Sequence, residues 1–413
     1  MISRIIMYYR NFRLWGWKGV WHFVPQLMEK RRIRKRILHH VNERTIPKRG
    51  ITLIGGFSDK TSLSKVFRDL AFRLKEAGIP FQAFDPNPAH EVPEGEYMSI
   101  ITPEAEVDLF KYSHVIDNIV GPVSIDFPSS IKHASIAFWE FDSGLIEGYP
   151  HILNVKNVIA MSDFNAEYFR KALPFSIGVH KILYPFRFNP GQLGDPQAVR
   201  RRYGFSADEF IVFFNFALGT ARKNPEGALR AFAKAFRDTP QTRLVFKTMV
   251  TMKCAEEIDM FRNIANTEGI ADRFTIIDTY LNITELYSLT NACNVYLSLH
   301  RGEGFGLGVA EAMSLSKPVV VTDYSSTTEF CSDKNSMPIP FKIVQMTNHQ
   351  PHLPCKGVKT WAEPDINEAA IALKRLHASV KLQKTIGKQA QDTIISHFSI
   401  SEFQKSITRF LAT

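Results

Sequence analysis

The sequence predicts an α/β protein made of two doubly wound, parallel-sheet domains that face each other across a cleft. Three observations carry that prediction. The chain has 413 residues, more than one hydrophobic core usually supports. Short apolar runs alternate with helix-period segments along most of its length, so strand, helix and strand recur in one direction. With 45% hydrophobic and 22% charged residues, the composition is that of a soluble globular protein and excludes disordered, collagen-like and coiled-coil chains.

The first domain is expected over 51–190. Its opening strand, 51–54, ends in Gly55 and Gly56. Leu63, Val66, Phe67, Leu70, Ala71 and Leu74 then share one helix face, Gly78 closes the helix, and 80–84 is the next strand. Further apolar runs stand at 115–120, 135–138, 158–161 and 181–184. Residues 185–194, rich in Pro, Gly and Asn, read as the linker, followed by a polar helix over 196–203 and a turn at Gly204.

The second domain, 191–392, alternates more sharply. Strands are expected at 210–216, 243–248, 274–277, 295–299 and 318–322, with helices at 225–236, 255–267, 283–292 and 306–315. Such a sheet places ligands at the C-terminal ends of its strands. Residues 337–354 read as an irregular Pro-rich loop, and helices follow at 366–379 and 401–411. The segment 393–413 is expected to be a C-terminal helix packing back on the N-terminal domain.

The formal net charge of +10 belongs to one end of the chain. Residues 1–50 hold 13 Lys/Arg and 2 Asp/Glu, leaving 38 basic and 39 acidic residues in the remainder. The same leader carries Trp15, Trp17 and Trp21 with Tyr8, Tyr9, Phe12 and Phe23, and a basic run from Lys30 to Arg36. Interleaved aromatics and cations suit the headgroup layer of an anionic membrane. The competing reading packs the aromatics on the protein body and leaves the charges solvated. No RRM, zinc-finger or other nucleic-acid module follows, so nucleic acid is not an expected partner. No run of about 18 uncharged apolar residues exists, and Arg4, Arg10 and Arg13 come too early for a secretory signal. Cys254, Cys293, Cys331 and Cys355 form no CxxC pair and read as thiols of a reducing cytosol.

The strongest chemical signal runs from Leu299 to Met313, LHRGEGFGLGVAEAM. A buried strand ends, glycines crowd the turn, and a helix opens near Gly306. Glycines allow close backbone approach, and the amides and positive dipole of a new helix favour phosphate, so this turn reads as a diphosphate cradle. Glu303 stands before the helix and Glu311 in its second turn. Carboxylates there suit sugar and ribose hydroxyls, which donate to them.

The E-x7-E pattern of Glu303 and Glu311 inside EGFGLGVAEAMSLSKPVVVT resembles the signature of retaining nucleotide-sugar glycosyltransferases of family 4, which have the GT-B fold of two Rossmann-like domains. SLHRGEGFG, RKNPEGALRAFAKAF, LVFKT and WAEPD resemble a bacterial branch concerned with surface polysaccharides. GGFSDKTSLSKVFRDLA and AFWEFDSG resemble its first glycine-rich loop and an acceptor-side segment.

The resemblance implies a hexosyl transfer, with mannose as the leading sugar, from a nucleotide diphosphate sugar to a glycan or lipid-linked saccharide acceptor. It implies that Glu303 meets donor-sugar hydroxyls, that Glu311 holds the ribose, and that Arg222 and Lys223 neutralise the leaving diphosphate. The backbone at Gly304, Phe305, Gly306 and Leu307 would contact phosphate, and Ser325 to Thr328, Ser325 and Thr327 foremost, would add contacts. No cofactor and no DxD-bound metal ion is implied; the sugar nucleotide is the donor substrate. The enzyme would work in the cytoplasm, held at the inner membrane face by 1–50.

Several positions keep two readings. Lys247 ends an apolar strand and reads equally as a ligand contact or a snorkelling side chain. Glu140 could orient the acceptor or the transferring sugar, or only cap a helix. Gly56 and Ser58 read as cleft-loop residues, Gly56 with the donor set. His300 could brace the motif loop, and His133 reads as structural. Tyr324–Glu329 stands where many relatives carry a Gly-rich segment, and no acceptor-domain histidine of the kind some relatives have can be placed. The alternatives to a transferase are a GT-B phosphorylase and a non-catalytic glycan- or nucleotide-binding subunit. Intact Glu303, Glu311, Arg222 and Lys223 argue against the silent subunit.

Overall fold

A computed structural model describes residues 46–58, 61–88, 99–118, 127–248, 255–346 and 357–413, with isolated positions 32, 35 and 39. The basic leader expected over 1–50 therefore lies almost wholly outside the described residues. The chain divides into two compact units, Met1–Ile136 and Ala137–Thr413.

In the first unit, β1 (Lys48–Ile54) begins inside the segment assigned to the leader, and α1 (Ser62–Glu76) follows. Thr61 starts that helix by accepting the Ser64 N–H on its hydroxyl, and Val66, Phe67, Leu70 and Leu74 form the buried stripe read from the sequence. β2 (Phe81–Phe84) and β3 (Tyr112–Asn118) flank β1, and β4 (Lys132–Ala137) lies beyond β3; all pair in parallel, in the order β2-β1-β3-β4. Ile54, Phe84, Leu109 and Val115 sit in the core of this unit.

The second unit opens with a short helix α2 (Leu145–Gly148), then β5 (Asn157–Ala160), α3 (Asp163–Ala172) and β6 (Gly178–Lys181), the two strands parallel. β6 lies earlier than the expected run at 181–184, because backbone pairing with β5 sets the strand and the apolar run only continues it. The larger sheet comes after α4 (Pro196–Arg202). Its strands and helices are β7 (Phe210–Asn215), α5 (Pro225–Phe236), β8 (Thr242–Lys247), α6 (Ala255–Thr267), β9 (Phe274–Ile277), α7 (Ile283–Ala292), β10 (Val295–Ser298), α8 (Leu307–Ser314), β11 (Val319–Thr322) and β12 (Met337–Ile339). All adjacent strands are parallel in the order β12-β11-β10-β7-β8-β9.

In that order the chain winds outward from β7 in one direction to β9, returns to the centre, and continues through β10 to β12. The reversal leaves a crevice between the C-terminal ends of β7 and β10, where doubly wound sheets bind their ligands. β7 is buried along nearly its whole length, as a central parallel strand must be. Its Phe210, Val212 and Phe214 pack with Leu229, Phe232 and Phe236 of α5. Each such phenyl ring taken from water contributes roughly 1.5–3 kcal/mol.

The expected irregular loop over 337–354 is corrected at its start. Met337–Ile339 forms edge strand β12, and β13 (Phe341–Gln345) pairs antiparallel with β14 (Thr360–Pro364). Prolines hid these strands, since Pro338 and Pro340 stand in and beside an edge strand where a missing N–H is tolerated. The chain ends in α9 (Ile366–His377), α10 (Val380–His397) and α11 (Ile400–Leu411). The expected single terminal helix over 393–413 is thus two helices, divided at Phe398 and Ser399, where Ser399 caps α11. α11 packs on the strand β6 segment: Ser406 accepts the Leu183 N–H at 2.8 Å, and Phe410 meets the His180 ring edge-on. Among the described residues no helix is long and apolar enough to cross a membrane.

Candidate active site

The loops that leave β7 and β10 bring three charges together at the crevice, and Glu140, from the segment after β4, adds a fourth. After β7, Ala221–Lys223 makes a single 3-10 turn, and Asn224 takes a left-handed conformation, φ 58°, while its side chain caps α5 through the Gly227 N–H. Arg222 and Lys223 are carried on that turn. After β10 the chain runs through His300, Arg301 and Gly302 to Glu303. Lys223 Nζ meets Glu303 Oε1, Arg222 Nη1 lies 3.3 Å from Glu303 Oε2, and Arg222 Nη2 lies 3.1 Å from Glu140 Oε1. Two cations are therefore matched by two carboxylates, all largely buried.

Burial alone would raise the Glu303 carboxyl, but Lys223, Arg222 and His300 outweigh it and hold it down at about 2. Burial pulls the Lys223 ammonium down against the attraction of Glu303. His300, fully buried, is pushed down to about 4 by the same loss of solvent, so its imidazole is neutral at physiological pH. It joins two strand ends: Nδ1 meets Ser298 Oγ at 3.1 Å and Nε2 meets the Tyr324 carbonyl at 3.1 Å. The bracing role expected of His300 has this geometry. His133 lies in the first unit, 3.1 Å from Asp117.

Glycine is required where this loop is tightest. A Cβ at Gly302 would collide with the Glu140 carbonyl oxygen, so only glycine lets the two carboxylate-bearing segments meet. Gly306, φ 91°, is the left-handed residue that opens α8, and a side chain there would strike Thr327. Gly304 lies against Phe138. Phe305 is buried and stacks on Tyr184, 3.5 Å between centroids and 5° between planes. Leu307 is the first residue of α8, so the amides of 305–307 lie at the helix N-terminus.

Glu311, in the second turn of α8, accepts the Tyr287 hydroxyl at 2.8 Å. Ser325, itself left-handed at φ 65°, accepts the Glu303 N–H at 2.9 Å and so fixes that residue's backbone. Thr327 Oγ1 stands 3.4 Å from His300 Nε2 and 3.2 Å from the Tyr324 carbonyl. Lys247 is buried and donates to the Thr248 carbonyl at 2.6 Å, with its ammonium pulled down by burial against Asp278. Gly56 lies in the first unit, at the turn after β1.

Sequence reasoning missed the supports. Tyr287, Ser298 and Tyr324 hold Glu311 and His300: Tyr287 and Tyr324 act from other elements, and Ser298, two residues before His300, has nothing in its spacing to announce the contact. Arg301 and Glu363, a bidentate pair at 2.6 and 2.9 Å, were quoted only as parts of motifs. Among the described residues, no group of three or more His, Cys, Asp or Glu is arranged to hold a metal ion.

With this geometry in hand, the likeness to known proteins is specific. Residues 196–337 match the family model described as Glycosyl transferases group 1. Solved structures share the fold. Sucrose-phosphate synthase from Thermosynechococcus elongatus superposes with a TM-score of 0.61 at 16% identity, covering 88% of this chain and 98% of that one. HepE of Anabaena, in complex with UDP and glucose, gives 0.61 at 16% identity, covering 88% and 100%. The fold is GT-B. In sequence, the putative glycosyltransferase EpsD of Bacillus subtilis is 25% identical over 147 residues, which is 36% of this chain and 36% of that protein. The chain thus spans about a third of the curated relative it matches, and that stretch is of a length with the family match. In GT-B terms, the β7–β10 crevice with Arg222, Lys223, Glu303 and Glu311 belongs to the part of the fold the family model covers.

Proposed function

We propose that this chain is a retaining hexosyltransferase acting on a nucleoside diphosphate sugar, mannose being the leading sugar. The acceptor is a hydroxyl of a glycan or lipid-linked saccharide in cell-surface polysaccharide synthesis, such as lipopolysaccharide. The observation that carries the reading is the buried Glu303 carboxylate held between Arg222 and Lys223 at the β7–β10 crevice, one turn of chain before the α8 N-terminus. A carboxylate held at about 2 is ionised at any working pH, so Glu303 accepts sugar hydroxyls and does not act as a proton donor.

Arg222 and Lys223 supply the positive charge that a departing diphosphate needs, without a metal ion. In the structure both cations are already matched by Glu303 and Glu140, so a diphosphate at α8 competes with those carboxylates and frees them toward the sugar. The reaction is a front-face substitution. The bond from the anomeric carbon to the diphosphate oxygen breaks with its electron pair leaving on phosphate. The acceptor oxygen bonds to the same face, and its proton passes to the departing phosphate oxygen.

Glu311 takes the ribose hydroxyls, the backbone of 304–307 the phosphates, and Ser325, Thr327, Lys247 and Gly56 complete the donor set. Glu140 orients the transferring sugar. In domain terms, 51–190 forms the acceptor side and 191–392 the donor side, with 393–413 returning to the former. Residues 1–50 hold the enzyme at the anionic inner face of the cytoplasmic membrane.

A panel of UDP-, GDP-, dTDP- and ADP-sugars tests the donor, by thermal shift and by turnover in EDTA. Because HepE was solved with UDP-glucose, that sugar nucleotide stands beside GDP-mannose in the panel. A ligand that binds the native state raises its melting temperature by mass action, and stabilisation by none of the four classes would sink the reading. Flotation with anionic vesicles tests the leader: equal binding with and without 1–50 would refute its membrane role.

A further inference from the structure

Six interactions converge on Arg301, none of them with the charged quartet's side chains. Its N–H donates to the Arg222 carbonyl at 2.7 Å, and its own carbonyl accepts from the Ala362 N–H at 3.2 Å. Its guanidinium donates to the Ala221 carbonyl at 2.9 Å and forks onto Glu363 through Nε at 2.6 Å and Nη2 at 2.9 Å. The same plane lies 4.5 Å from the centroid of the Trp361 indole. The Ala221–Lys223 turn that bears both cations has no side-chain cap of its own. Arg301 holds the turn from its carbonyl side instead, donating to Ala221 and Arg222, and it stands two residues before Glu303 in the chain.

We propose that Arg301 is a positioning residue: clamped by Glu363 and Trp361 of β14, it sets Arg222 and Lys223 in register with Glu303 and with the diphosphate they meet. This rests on the transferase reading given above. The geometry selects arginine. Three of its N–H donors are used by one planar group that also lies over an indole, and a lysine ammonium, a compact charge on a flexible stem, offers neither the bidentate fork nor the flat face. A displaced reacting group costs far more in rate than in folding, since misplacement by about 1 Å can lower turnover about 100-fold.

The test compares wild type with R301M, R301K, E363Q, K223M and the double variant R301M/K223M. For each, calorimetry measures affinity for UDP and GDP and for uridine and guanosine, turnover gives kcat and KM with the donor, and circular dichroism gives the melting temperature. R301M is expected to lose about tenfold in diphosphate affinity and about 100-fold in kcat while nucleoside affinity is unchanged. R301K falls between R301M and wild type, and E363Q loses about threefold to tenfold in kcat. R301M/K223M loses at least about fivefold less than the product of the single losses, because both act through one cation.

Wild-type preference for diphosphate over nucleoside in R301M, or losses that multiply in the double variant, would overturn the proposal. So would equal weakening of nucleoside and diphosphate alongside a lower melting temperature. If wild type itself binds none of UDP, GDP, dTDP and ADP, the transferase reading fails before any variant is compared.

Discussion

Two glycine-containing loops follow parallel strands in this molecule, one after β1 and one after β10, and their amides meet opposite fates. In the first unit, Asp85 at the end of β2 accepts the Phe57 N–H at 2.8 Å, the Ser58 N–H at 3.2 Å and the Ser58 hydroxyl at 3.0 Å. Arg68 holds the Phe57 carbonyl at 2.6 Å. That loop carries its own anion. After β10, Ser325 takes the Glu303 N–H, but the carboxylate of Glu303 is turned onto Arg222 and Lys223, and the α8 N-terminus follows. A glycine turn is permissive in both places; the neighbouring charge decides which one suits a foreign anion.

The largest expected effect breaks the second loop. Glu303→Ala and Lys223→Ala should each lower kcat by about 100-fold or more, the range seen when a preorganised transition-state contact is removed. Circular dichroism should show both variants folded, and wild-type rates in both would remove these residues from the site. The matching cut in the first loop is Asp85→Ala. It leaves buried N–H groups of Phe57 and Ser58 without their acceptor, so stability should fall by about 1–3 kcal/mol in urea unfolding. Affinity for a nucleoside diphosphate should stay within about twofold; a large loss would mean that this loop also serves the phosphate.

A pH series probes the second loop. His300 has a folded-state value near 4 against an ordinary 6.5, so the unfolded chain binds its proton first and stability falls as pH drops from 6.5 towards 4. Glu303 is likewise lowered, from 4.5 to about 2, and its contribution, complete above 4.5, is lost as pH falls from there towards 2. Both losses lie on the acid side. His300→Asn should flatten the melting temperature between pH 6.5 and 4 while leaving the lower fall in place. A wild-type melting temperature constant down to pH 4 would contradict a buried neutral imidazole.

How much of this was legible in the sequence follows from what kind of information each feature needs. The β7-to-β11 alternation was readable because hydrophobic periodicity is local, and the family resemblance rested on a contiguous run from Leu299 to Met313. Arg222, Lys223 and Glu303 were legible as motif residues. Their mutual contact was not, since it depends on the strand order that sets β10 beside β7. The antiparallel pair β13–β14 escaped because β13 is largely exposed, with no buried apolar face, and prolines adjoin the pair. Helix α10 escaped because its buried residues, Ile386, Gly387, Ala390 and Ile394, are few for its length. Arg301 escaped for a third reason: its partners lie at 221 and 361–363, distances along the chain that no local pattern spans.

The smallest expected effect concerns Glu311. Its Oε1 is held by the Tyr287 hydroxyl, from a helix that packs beside α8. Tyr287 is buried, and Phe188 covers its ring, so removing only the oxygen leaves the packing intact. Tyr287→Phe therefore frees one carboxylate oxygen without opening a cavity. A neutral-to-charged hydrogen bond contributes roughly 1.5–3 kcal/mol to what it orders, and if Glu311 holds the ribose as proposed, only part of that reaches the ligand. Nucleoside affinity should weaken about threefold to fivefold, equally for nucleoside and nucleoside diphosphate, and calorimetry with the 2′-deoxynucleoside should show a smaller difference. A loss confined to the diphosphate would move Glu311 from the ribose to the phosphate side of the crevice.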